Sequence, residues 1–156
     1  MKKIDLINLR DRGLLDLSAH CLSCDDSLGL VKFRLSLRKA LEKISAEERE
    51  LLGVAGIDEP LAFDKELEAL RKNANRSELQ DAQLAGMEDR LGHYSALRSG
   101  LMSEDAPDLH AMHLPYEKWK ALQDENCHDG KDPLSGWVED ALEGIMWVAP
   151  EDITNS

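Results

Sequence analysis

Aromatic residues are scarce in this chain: three tryptophans, two tyrosines and two phenylalanines make up 4% of its 156 residues. Leucine and alanine must therefore supply most of any packed interior, and each tryptophan carries a large share of the aromatic surface. Long apolar runs are missing too. No stretch approaches the roughly 18 residues that cross a bilayer, and the opening Met1-Lys2-Lys3 runs into Asp5, Arg10, Asp11 and Arg12 instead of an apolar signal core. The expectation is a cytoplasmic protein with no membrane contact. Cysteine is limited to Cys21, Cys24 and Cys127, an odd number that argues against a disulfide framework and for reduced thiols.

Basic charge runs out along the chain. Residues 1–52 hold 10 basic and 9 acidic side chains, residues 53–100 hold 6 and 9, and residues 101–156 hold 3 and 13, for a total of −12. Ordinary nucleic-acid binding needs a basic footprint to replace phosphate counterions, so this distribution argues against it. Also absent are a glycine-rich phosphate loop, a nucleophile elbow and a metalloprotease motif. With 31 acidic residues close carboxylate pairs are guaranteed, and none stands in an apolar stretch that would raise its pKa for acid-base work. The expectation is that the protein is not an enzyme.

What the chain does have is helical periodicity. Over 28–52, Leu30, Leu37, Ile44 and Leu51 recur every seven residues, with Phe33, Ala40 and Leu41 on the same face. The opposite face reads as charged, with Lys32, Arg34, Arg38, Lys39, Lys43, Glu47, Glu48, Arg49 and Glu50 in water. Ile4, Ile7, Leu14 and Leu15 predict a first helix over 2–19, interrupted by Gly13. Residues 20–29 read as the loop of a helical hairpin, with Asp26 or Ser27 as the cap. Gly53 and Gly56 read as terminators, Asp58 as a cap and Pro60 as an initiator. Phe63, Leu67, Leu70 and Ala74 form the next stripe, and Ser77 with Gln80 fits a capping box that opens a further helix through Leu84, Met87, Leu91 and Tyr94. One kinked helix over 63–99 is the alternative.

Further on, 109–114 reads as a short strand or an extended connection. Pro115 opens a helix carrying Tyr116, Trp119 and Leu122, and 126–133 is rich in turn residues. Leu134, Trp137, Val138, Ala141, Leu142 and Ile145 predict a last helix over 134–147. The fold expected is all-α: a hairpin over 2–52 packed against further helices over 62–99, with a small acidic helical region at 109–148 and at most one short strand. One domain is expected over 1–156, divided into a main body at 2–100 and an acidic subdomain at 101–156.

Three groups of side chains are candidate sites. His20, Cys21, Cys24, Cys127 and His128 are zinc-ligand types in two clusters, although adjacent Cys127 and His128 make an awkward chelate; unliganded loop residues are the competing account. The same CLSC run could be a redox dithiol, a chemistry that belongs in a βαβ setting not seen here. His110 and His113 alternate onto opposite faces and His93 lies on a helix surface, so neither reads as a ligand site. In the last third, Asp124, Glu125, Asp129, Asp132, Glu139, Asp140, Glu143, Glu151 and Asp152 are either a solvated surface or an imitation of a phosphate backbone. Trp147 and Trp119, with Glu139, Asp140 and Glu143, are the candidate partner-binding residues, while Trp137 is assigned to the core.

The order of KIDLINLRDRGLLDLS, LRKALEKISAEERELL, FDKELEAL and DLHAMHLPYEKWKAL resembles a group of small phage- and prophage-encoded helical proteins of unknown function. The CLSC loop and NCHDGKDP depart from that pattern. The resemblance implies an accessory or assembly protein and carries no catalytic residue. The functional expectation is a non-enzymatic interaction or assembly protein without a cofactor, acting on a protein partner or as a homo-oligomer. An acidic nucleic-acid mimic and a small zinc-stabilised binding module are the alternatives.

Overall fold

The computed structural model describes residues 1–150. The protein is all-α apart from one small sheet: α1 (Lys3–Asp11), a 3-10 turn (Leu14–Asp16), α2 (Cys24–Val54), α3 (Pro60–Lys72), α4 (Glu78–Met102), β1 (Leu114–Pro115), α5 (Tyr116–Asn126), α6 (Trp137–Leu142) and β2 (Trp147–Val148). No helix among the described residues is long and apolar enough to cross a membrane.

Local chemistry sets most of the helix boundaries. The first helix stops at Asp11, short of Ala19, because Gly13 takes a left-handed conformation (φ 91°) that diverts the chain into the 3-10 turn. In place of a hairpin of two comparable helices there is a nine-residue helix and a 31-residue one. The second begins at Cys24, where the Ser23 hydroxyl accepts the Asp26 backbone N–H (3.2 Å); Ser23 is thus the cap, not Asp26 or Ser27. It closes in a Schellman motif, with Ile57 N–H donating to the Leu52 carbonyl (2.8 Å) and Gly56 N–H to Gly53 (3.1 Å). Gly56 supplies the positive φ of 80° that this turn requires, while Gly53 lies inside the helix. Glu59, not Asp58, is the cap residue of α3, and it makes no side-chain cap bond.

Between α3 and α4 the chain breaks, as the Ser77–Gln80 pattern predicts. Gln80 N–H donates to the Ser77 hydroxyl (3.2 Å), and the Ser77 N–H donates to the Gln80 side-chain carbonyl (2.9 Å). Two helices, not one kinked helix, follow from this reciprocal cap.

The chain divides into two compact units, and neither matches a boundary at 100/101. Met1–Glu42 groups with the chain from Asp105 onward, and Lys43–Glu104 forms the other unit. In the first, specific ties join N-terminal to C-terminal residues. Ala106 N–H donates to the Met1 carbonyl (2.9 Å), Lys2 pairs with Asp105 (2.6 Å), and Lys118 pairs with Asp26 (2.6 Å). Ser18 and Asn126 exchange two hydrogen bonds of 2.8 and 2.9 Å. Of the acidic last third, residues 105–150 are therefore built together with the first 42. Counted over the described residues of each unit, the charge is −5 in both, a flatter spread than the sequence suggests.

The second unit is an apolar cluster of Ala55, Ile57, Phe63, Leu67, Leu70 and Met87, against which Leu52, Leu84, Leu91 and Tyr94 pack. These include the stripes expected for α3 and α4 with the exception of Ala74, which lies in the turn beyond the end of α3 and is exposed. The Arg90 guanidinium lies 5.5 Å from the Phe63 ring centre, a cation-π contact at the edge of the cluster.

Candidate interaction surface

The thiol and imidazole candidates do not converge. Among the described residues no group of three or more His, Cys, Asp or Glu side chains is placed to hold a metal ion. His20, Cys21, Cys24, Cys127 and His128 are all exposed, and the three thiols are free. What organises the 20–21 turn is a carboxylate: Glu125 accepts the backbone N–H groups of His20 (3.0 Å) and Cys21 (2.9 Å). Burial, and then this carboxylate, push the Cys21 thiol up from its ordinary value. That is the wrong direction for a redox dithiol, which needs a stabilised thiolate.

The tryptophans exchange the roles assigned from the sequence. Trp119 is fully buried, Trp147 is 8% exposed, and Trp137, the expected core residue, is 41% exposed. The reason is the length of α6. It ends at Leu142, the chain turns through Gly144 (φ 81°), and Trp147 enters β2, which pairs in parallel with β1 in the register Leu114 to Trp147. This is a second strand where at most one was expected. Leu134, Val138, Leu142 and Met146 form the buried row, one position off the row that contains Trp137.

The Trp119 and Trp147 rings stack, with centroids 6.1 Å apart and planes inclined by 21°. Glu139 satisfies both indoles. Its carboxylate accepts the Trp119 N–H at 3.0 Å, and its backbone carbonyl accepts the Trp147 N–H at 2.8 Å. Buried Gln123 donates to the same carboxylate (3.3 Å) and to the Leu134 carbonyl (2.9 Å). Trp119 and Trp147 are thus interior structural residues, and half-buried Glu139 is engaged by both indoles; Asp140 and Glu143 remain exposed.

An exposed apolar row lies instead on α2. Leu28, Val31 and Leu35 are 53%, 47% and 48% exposed and stand at i, i+3 and i+7, on one helix face. The buried face of the same helical segment carries Leu30, Phe33, Leu37, Ala40 and Leu41. The long helix therefore has two apolar faces, where the heptad reading assigned the outer face to charge alone. Residues 110–112 run beside it: His110 N–H donates to the Ser36 hydroxyl (2.9 Å), and the Met112 side chain rests near Gly29. The spacing of Leu28, Val31 and Leu35 was a readable signal. It passes unnoticed because the seven-residue series starting at Leu30 accounts for the helix without it.

Two clefts lie elsewhere among the described residues. One, of about 610 Å³, lies in the second unit and includes Glu48, Arg49, Asp58 and Tyr94. Glu48 pairs with Arg98 there (2.9 Å), and the Tyr94 phenol is pushed up, first by burial and then by the Glu48 carboxylate. A phenol so raised stays protonated and is a poor base at neutral pH. The other cleft, of about 710 Å³, is polar and lies along Asp11, Arg12 and the 128–135 loop, where Arg12 donates to the Asp132 carbonyl (2.7 Å). No protein-family model, curated protein or solved structure matches the chain.

Proposed function

We propose that the protein is a non-enzymatic interaction or assembly protein that docks a partner on the outer face of α2. The observation that carries this reading is the Leu28, Val31 and Leu35 row, three branched aliphatic side chains left about half in water on consecutive turns of a helix. Single exposed leucines are ordinary, but a row at helical spacing is the pattern by which one helix receives another. Each such side chain gains about 1.5–3 kcal/mol on full burial, so completing the burial of three half-exposed ones contributes about 2–4 kcal/mol, and the partner's further contacts must supply the rest of the cost of association.

Nucleic-acid mimicry has less support. Of the acidic residues in the last third, Glu125 holds the 20–21 turn, Glu139 serves the indoles and Asp132 accepts the Leu134 N–H (3.1 Å). Glu151 and Asp152 lie outside the described residues. A comparative affinity capture tests the proposal: the wild-type chain and a Val31→Glu/Leu35→Glu variant are used as bait from the same lysate. The proteins retained by the wild type should be lost from the variant. Identical retention would refute docking through α2. Because both positions face water, the variant should keep the circular dichroism spectrum of the wild type.

A further inference from the structure

The docking face reverses the sign of the chain that carries it. Lys32, Arg38 and Lys39 flank the apolar row and are exposed, and none of them has an ion-pair partner among the described residues. At about 100° per residue, Lys32 and Lys39 fall on one edge of the row and Arg38 on the other. Some cations elsewhere are engaged, Lys2 with Asp105, Lys118 with Asp26, Arg76 with Asp81 and Arg98 with Glu48, and others such as Lys65 and Lys131 are also unpaired among the described residues; what sets Lys32, Arg38 and Lys39 apart is that they border an exposed apolar row. Asp25 and Glu42 are exposed at the two ends of the row, so the positive surplus is confined to its middle, where three unpaired cations border the apolar side chains of a chain of net charge −12.

Resting on the docking role proposed above, we infer that the partner on this face is an acidic amphipathic helix of another protein. It presents aliphatic side chains at i, i+3 and i+7 with Asp or Glu on both edges. Apolar burial supplies the affinity, and carboxylates meeting Lys32, Lys39 and Arg38 supply orientation and a faster encounter. A basic helix laid on the same row meets three like charges. A second copy of this chain is also a poor occupant. Antiparallel pairing that sets Leu28 against Leu35 brings the two Lys32 ammonium groups together at the two-fold axis, and each copy brings its own −12. From Asp25 to Lys39 the face runs about 21 Å, which a helix of four turns covers.

The probes are two fluorescein-labelled 18-residue helical peptides with identical leucine rows, one edged with glutamate and the other with lysine. Anisotropy titrations use the full chain at low salt and at about 0.5 M salt, where the Debye length falls to a few ångströms. The wild type should bind the glutamate peptide, more weakly but still measurably at high salt, and should reject the lysine peptide. Leu35→Glu should weaken that binding by more than about tenfold, as expected for an anchor in the middle of an interface. The triple variant Lys32→Glu/Arg38→Glu/Lys39→Glu should lose the glutamate peptide and acquire the lysine one. Equal affinity for both peptides, lost with Leu35→Glu, would overturn the acidic partner while leaving docking through α2 intact. Binding unaffected by Leu35→Glu would overturn both, and failure of the wild type to bind the glutamate peptide would overturn the inference. A dimer in sedimentation equilibrium that Leu35→Glu dissolves would place a second copy on this face and overturn it as well.

Discussion

The two units reach a packed interior by different chemistry. Lys43–Glu104 uses side chains without polar atoms: Phe63, Leu67 and Leu70 from α3 meet Met87 from α4 and Ile57 from the turn after α2. Nothing in that cluster needs a hydrogen-bond partner, so helical spacing is enough to assemble it. The interior around Trp119 and Trp147 is built on two indoles, each with an N–H that must be satisfied once buried. Both find their acceptor on one residue, Glu139, twenty positions beyond Trp119 and eight before Trp147. An aliphatic cluster tolerates sliding and exchange, whereas an indole pair keyed to one carboxylate and one carbonyl accepts a single arrangement.

Several substitutions test this contrast, the largest effect first. Trp119→Ala should cost about 3–5 kcal/mol by leaving a large cavity, while Trp137→Ala, at an indole 41% exposed, should cost no more than about 1–2 kcal/mol. Chemical denaturation of the two variants compares them directly, and a larger loss at Trp137 would contradict the assignment of the core. Phe63→Ala should cost about 3 kcal/mol in the same denaturation, including the loss of the Arg90 cation-π contact at the edge of the cluster.

Glu139→Leu should cost about 1–3 kcal/mol, because the Trp119 N–H is left without its acceptor, while the Gln123 amide keeps only the Leu134 carbonyl. Glu139→Gln, which keeps a carbonyl oxygen there, should lose less, and equal losses would show that the indole bond contributes nothing. Ser77→Ala should cost about 1 kcal/mol by removing the cap of α4, read as a shift of the denaturation midpoint with unchanged slope. The smallest effect is a pH dependence. The hydrogen bond from Lys118, more than any other cause, holds the Asp26 carboxyl below its usual value. A carboxyl lowered on folding adds stability that is complete above the unfolded pKa and is lost as pH falls through the carboxylate range. Asp26→Asn should therefore remove a small part of the acid-induced loss, below about 1 kcal/mol for so accessible a pair, and a variant with the wild-type acid limb would count against it.

How legible each element is follows from how local its determinants are. The capping box at Ser77 and Gln80 and the stripe of Phe63, Leu67 and Leu70 can be read from the chain because every partner lies within a turn or two. The position of Trp137 misleads for the converse reason. Leu134, Trp137, Val138, Ala141 and Leu142 scan as one helical face, but Gly136 (φ 66°) starts the helix only at Trp137, so Leu134 and Trp137 never share that face. For Trp147, the deciding contacts come from β1 and from Glu139, which periodicity does not register. The five zinc-ligand candidates look clustered in sequence, yet spacing along a chain says little about convergence across a loop.

By itself the sequence determines that this is an acidic, leucine-rich helical protein and which residues of α3 and α4 face inward, and it offers the Ser77–Gln80 cap as the place where those helices divide, since each depends on interactions within a few residues. Tertiary structure decides the rest. Asn126, Glu125 and Lys118 fasten the last third to Ser18, Cys21 and Asp26, roughly a hundred residues earlier, while Glu139 and the pairing of β2 with β1 hold Trp119 and Trp147 in the interior. The same packing chooses which of the two apolar faces of α2 is covered. Periodicity can identify a face as apolar, but only the arrangement of distant segments determines whether water or protein lies against it.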